Sequence, residues 1–259
     1  GIRSFYYPPK AQQNCNECHM PRKPSDDFGA ALVDGDLKVH DHLFPSANTG
    51  VAWWIDSPET TERHLLFNDG VMRLDIFGIK QGEDVGAPLT APLRPQVPTL
   101  EPGENYLLET VIRTMKMGHH FTQGTVDSNE IWLDVTLIEG AEYDDRGIRT
   151  AGRVIGRSGG MNDQKEVDPW SHFVNVFMLD REGNRINRRN AQHIFFPLYN
   201  HQIPPGAGQV VHYAFDLPTD VRRPVTVEAK LQYRKFDAEY LRIIGEFHRE
   251  RQRPLRGLE

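Results

Sequence analysis

The chain has two cysteines, and a histidine directly follows the second, so residues 15–19 read Cys15-Asn16-Glu17-Cys18-His19. Two thiols at this spacing beside an imidazole form the attachment pattern for haem c. The thiols add across two vinyl groups on one porphyrin edge, and His19 then lies under the ring as an iron ligand. Three alternatives compete. A thioredoxin-like dithiol needs a strand before the motif and a helix after it. Here Tyr7-Pro8-Pro9 precedes and Met20-Pro21 follows, and proline breaks regular structure. A zinc site needs four ligands and would recruit His40 or His42. The third alternative is a chance motif with no cofactor.

With His19 on one side of the iron, the sixth position decides between electron transfer and an open, reactive site. Met20 adjoins the residue under the ring, so its thioether does not reach the opposite face. His42 is the expected ligand, because the loop after Met20 is long enough to wrap over the porphyrin. His40 points the same way in an extended segment and is an alternative. His119, which follows Gly118 at a strand end beside His120, is another if the C-terminal region folds over the haem. His172 is expected to pack, with a neighbouring haem as the other possibility. His64, His193, His201, His212 and His248 read as ordinary histidines. Phe5, Tyr6, Tyr7, Trp53 and Trp54 fit either a haem pocket or plain core packing. Asp127, Asn129 and Glu130 are weighed as calcium ligands against an ordinary solvated turn.

These residues need elements to hold them. Residues 1–56 are rich in proline and glycine with little periodicity, and read as loop wrapped round a cofactor. Ser57 as N-cap, Pro58 in the first turn and Asn68-Asp69-Gly70 as the stop predict a short helix. Beyond it, alternation and extended apolar runs between turns predict strands at Met72 to Ile76, Tyr106 to Thr114, Ile131 to Leu137, Phe173 to Leu179, Gln209 to Leu217 and Val225 to Tyr233. Shorter strands are expected at Arg153 to Ile155 and His193 to Leu198, and a closing helix at Asp237 to Arg249. Turn sequences such as Asp180-Arg181-Glu182-Gly183-Asn184 separate the runs. The fold expected is mainly β: an irregular haem-binding arm with a short helix (1–70), then an immunoglobulin-like antiparallel β-sandwich (71–259).

Composition sets the outer limits. The 259 residues are 38% hydrophobic and 25% charged, with a formal charge of −6. A general nucleic-acid binder would need a basic face, and no apolar run approaches the ~18 residues of a membrane span. No Ser-His-Asp spacing, P-loop or dinucleotide fingerprint is present.

Three stretches carry a resemblance: Tyr6-Tyr7-Pro8-Pro9, then Cys15 to Pro21, then His42-Leu43-Phe44-Pro45-Ser46-Ala47-Asn48-Thr49. Together they resemble a segment of bacterial multihaem c-type cytochromes, the group of tetrahaem carriers and hydroxylamine-oxidoreductase-like proteins. Gly118-His119-His120-Phe121-Thr122-Gln123-Gly124, with Asp127 and Trp132, resembles an element opening a strand in the C-terminal domain of such proteins. Thr122 stands where that element has proline. Asp168-Pro169 with His172, and Asn187-Arg188-Arg189-Asn190, also resemble that domain.

The resemblance implies one covalent haem c and a sandwich, with His42 and His119 at ligand positions. Its members carry several C-x-x-C-H motifs and this chain has one. Either further haems lie in an N-terminal part outside this chain or in a haem-bearing partner chain, or the chain is a one-haem member of the group. The function expected is electron transfer to a redox partner from the periplasm or outside the cell, with the export signal not in this chain. A haem enzyme acting on a small nitrogen or oxygen species is the alternative. A structural module pinned by metal or haem is a third.

Overall fold

Alternating apolar and polar residues build this protein from hairpins. The computed structural model describes residues 14–124 and 126–250. The N-terminal part runs α1 (Cys15–His19), β1 (Arg22–Pro24), β2 (Ala31–Val33), β3 (Asp36–His40), α2 (Thr49–Trp54) and α3 (Pro58–Asn68). Then come β4 (Met72–Gln81), β5 (Asn105–Thr114), β6 (Glu130–Tyr143), β7 (Arg149–Ser158), β8 (Val176–Leu179) and β9 (Arg185–Ile186). Strands β10 (Phe196–Asn200), β11 (Gly208–Asp216) and β12 (Val225–Arg234) precede the closing helix α4 (Ala238–Glu250). The strands form four three-stranded antiparallel sheets, ordered β1-β3-β2, β10-β8-β9, β11-β5-β4 and β12-β6-β7. The chain is mainly β, as its alternation predicts.

The two longer sheets pack face to face. Leu108 and Ile112 of β5 and Val211 of β11 meet Ile131, Leu133 and Val135 of β6, with Val174 and Ile203 from the connecting segments. Period-two alternation puts these on one face of each strand, and the ladder pairs Val211 with Thr110 and Tyr213 with Leu108 on that same face. Each aliphatic side chain so buried contributes roughly 1.5–3 kcal/mol. No helix among the described residues is long and apolar enough to cross a membrane.

The arm departs from the sequence reading. Residues 15–56 contain two helices and a sheet where loop was expected. Asp34 and Gly35 both take positive φ, at 53° and 86°, and turn β2 directly into β3. Asp-Gly between two short runs is a hairpin signal, hidden here among many other glycines and prolines. The strand expected from Phe173 is shorter, starting at Val176; Phe173 and Val174 still pair with Trp132 and Ile131 of β6. His193 falls in a 3-10 turn, and the strand expected there begins at Phe196. The aromatics Phe5, Tyr6 and Tyr7 lie outside the described residues.

Candidate functional site

His19 ends α1 and is half-buried. Its Nδ1 lies 2.8 Å from the carbonyl oxygen of Pro45. A carbonyl only accepts, so the proton sits on Nδ1 and the Nε2 lone pair is free to bind a metal. Phe67 of α3 packs against the imidazole at 5.3 Å between ring centroids, and Phe44 lies at 6.4 Å, 16° from parallel.

A third ring completes the site. The imidazole of His119 stands 6.2 Å from that of His19, 12° from parallel. Its Nδ1 is 2.9 Å from the carbonyl of His120, so its Nε2 is free in the same way. The topology explains the meeting. Met72 at the start of β4 pairs with Thr114 at the end of β5, so the segment before β4 lies beside the segment after β5. Met115 N–H donates to Val71 and Lys116 Nζ to Asp69. These bonds tie the His119 loop to the end of α3, which carries Phe67.

Cys15 and Cys18 are exposed on the helical turn that ends in His19. Partial desolvation, and then the charge of Glu17, push the Cys18 thiol above its ordinary value. His40 and His42 line an open groove of about 500 Å³ with Lys23, Asp41 and Arg63. His42 is exposed, and His40 donates its Nδ1–H to the Met20 carbonyl at 2.7 Å, leaving its own Nε2 free. Buried Asp41 accepts from Arg63 and from the N–H of Leu43, and Lys23 approaches within 3.6 Å. The Arg63 hydrogen bond is the main reason its carboxyl is held below the ordinary range.

The sequence reading missed the residues that hold the His19 loop. His64, on α3, is only 5% exposed and accepts the Ser46 N–H at Nδ1, 2.9 Å away. Asn68, one turn on, donates to the Ser46 carbonyl at 2.9 Å and to the His64 carbonyl at 2.8 Å. Spacing of three and four puts His64, Phe67 and Asn68 on one helix face, a signal the sequence contains. Phe44 takes a left-handed backbone, φ 53°, which is uncommon for a bulky residue and marks a constrained place in the chain.

Other histidines pair among themselves. His172 and His201 lie 5.2 Å apart, and His172 Nε2 lies 3.3 Å from Gln209. Burial, more than any neighbour, lowers the pKa of His172. In the turn weighed as a calcium site, Asp127 accepts the Arg189 N–H at 2.8 Å, buried Asn129 bonds Thr122 and Asn175, and Glu130 pairs with Arg234. Among the described residues no group of three or more His, Cys, Asp or Glu is placed to hold a metal ion.

No family model and no curated protein matches the chain. Among solved structures it is similar to a penta-haem cytochrome c552 from Thermochromatium tepidum, with a TM-score of 0.46 and 16% identity. That match covers 92% of this chain and 43% of the other. A second match, to an alkylpurine DNA glycosylase from Pseudomonas fluorescens bound to DNA with an abasic-site analogue, has a TM-score of 0.22 and 11% identity. It covers 68% of this chain and 32% of that one. The chain thus spans less than half the length of either.

Proposed function

We propose that this chain is a c-type cytochrome, or a portion of a multihaem one, in which Cys15, Cys18 and His19 would hold a single haem, with His119 as the second histidine that would bind its iron, for electron transfer. The observation that carries the reading is the pairing of His19 and His119. Each spends its Nδ1–H on a backbone carbonyl and keeps Nε2 free. A metal–imidazole bond of ~2 Å, with the ring centre ~1 Å further on, puts two opposed imidazoles ~6 Å apart, and the two rings stand 6.2 Å apart. In donor type and in ring spacing the residues present therefore fit the group. When bound, the haem takes up and releases one electron at its iron.

The chain's own residues do the rest. Cys15 and Cys18 would anchor the group by its edge, and His19 and His119, two fixed imidazoles, would hold it with the same ligands in both redox states, as a carrier requires. Phe44 and Phe67 restrict water around His19. The sandwich brings His119 to the arm through the β4–β5 hairpin, which gives it a structural part in the site. His42, exposed in its groove, is the competing ligand. Attachment of haem c outside the cytoplasm makes the protein periplasmic or extracellular.

The arm also suggests a neighbour. Trp53, Ile55, Leu65 and Leu66 of the α2–α3 region are 59–69% exposed, a concentration of apolar surface of the kind that marks protein contacts. A haem-bearing partner, or haem-bearing chain beyond this segment, is the neighbour this reading assigns to it.

The deciding experiment is the mass and visible spectrum of the chain, produced with haem-attachment machinery and then denatured. One covalently retained haem, released when both cysteines are changed to alanine, is expected. A colourless chain carrying stoichiometric zinc overturns the reading. A native spectrum that is high-spin and shifts readily with small ligands would instead make the protein an enzyme with an open iron.

A further inference from the structure

His19 and His64 lie on opposite sides of one peptide unit. The carbonyl of the Pro45–Ser46 amide accepts from His19 Nδ1 at 2.8 Å, and the N–H of the same amide donates to His64 Nδ1 at 2.9 Å. An amide that gives its N–H to a good acceptor gains electron density on its oxygen, so the two hydrogen bonds strengthen each other. His64 must carry its own proton on Nε2 to accept at Nδ1. Its burial at 5% exposure and the Asn68 bonds to the Ser46 and His64 carbonyls fix the far side of the link. The left-handed Phe44 stands just before Pro45, on the near side.

We infer that His64 is a positioning residue for the iron ligand: acting through the Pro45–Ser46 amide, it polarises the His19 Nδ1–H bond, increases the electron donation of His19 and so lowers the reduction potential of the bound haem. This rests on the reading of His19 as an axial ligand. It adds a residue that the structure links to His19 through the backbone amide. Groups behind a metal-bound histidine set its orientation and basicity, and here that group is a second histidine relayed by an amide.

The test uses the haem-loaded chain and two readouts, the midpoint potential and the proton chemical shift of His19 Nδ1–H in the ferrous form. His64→Leu removes the acceptor. The potential should rise, with a several-fold and at most ~10-fold change in the reduction equilibrium, which is ~59 mV for one electron. The Nδ1 proton should move upfield. His64→Asn places an oxygen where Nδ1 was and should return both readouts towards wild type. Should His64→Leu fail to fold, Asn68→Ala takes its place: it frees the Ser46 carbonyl while leaving His64, and should shift both readouts the same way by less. Unchanged potential and proton shift in the folded variant overturn the inference. So does an Asn variant that shifts as far as the Leu one, because the effect is then lost packing and not a lost acceptor. A wild-type chain without haem overturns the underlying reading as well, and is recognised before any variant is compared.

Discussion

The imidazoles of His19 and His119 stand 6.2 Å apart and 12° from parallel, although one ends a helical turn in the arm and the other follows a strand of the sandwich. Neither ring bonds the other. Each is anchored through Nδ1 to a carbonyl in its own segment, so their relative placement depends on how β4 and β5 pair.

That arrangement gives the first prediction. His119→Ala should convert the haem-loaded chain from low-spin to high-spin and let carbon monoxide bind, while His42→Ala should leave the spectrum low-spin. The reverse pattern would move the sixth ligand to the His40–His42 groove.

The Cys15 to His19 motif and most of the strands were legible in the sequence, because each is local: thiol spacing in one case, period-two alternation in the other. The approach of His119 to His19 was not. His42 lies close to His19 in sequence, which favours it on loop length alone. His119 is distant in sequence and comes close with the pairing of Met72 and Thr114, a register that no local pattern states. His64 was passed over for a related reason. In the sequence it reads as an ordinary histidine until its burial and its acceptor role on Ser46 N–H are known.

The arm supplies a second prediction. Asp41 joins Arg63 of α3, Lys23 of β1 and the Leu43 N–H in one cluster. Asp41→Ala should leave those donors without their shared acceptor and cost about 1–3 kcal/mol. Proteolysis should then cut within residues 22–45 well before the sandwich opens, a difference readable by mass spectrometry. Equal cleavage of wild type and variant would show that the cluster does not hold the arm.

A third concerns the close approach of two backbones. Gly159 has φ +92°, and a Cβ there would meet the Leu133 carbonyl oxygen at 2.1 Å and Asp134 Cα at 2.6 Å. Trp132 also donates its indole N–H to the Gly159 carbonyl at 3.0 Å. Both obstacles are main chain and cannot turn aside, so Gly159→Ala should cost more than ~3 kcal/mol in denaturant unfolding. At Gly147, which also has positive φ but nothing within 4 Å, the same substitution should cost only ~1 kcal/mol.

The last prediction rests on a buried ion pair across three strands. Glu109 of β5 accepts from Lys80 Nζ of β4 at 2.7 Å and lies 3.0 Å from His212 Nε2 of β11. Lys80 and Glu109 are each 7% exposed. The Lys80 hydrogen bond outweighs burial and, with help from His212, holds the Glu109 carboxyl below its ordinary value. Its unfolded value is ~4.3, so the unfolded chain takes up the proton first as the pH falls. The stabilisation from this group is therefore complete above that unfolded value and is lost as the pH falls through the depressed folded one. Glu109→Gln removes the titrating group and leaves the Lys80 ammonium buried without its partner, at a cost of about 3–5 kcal/mol at neutral pH. Unfolding free energies of the two proteins, measured from neutral pH down through the acid range, should converge as wild type loses its carboxylate. A gap that stays constant over that range would mean that Glu109 contributes by packing alone and that its charge does not stabilise the sheet.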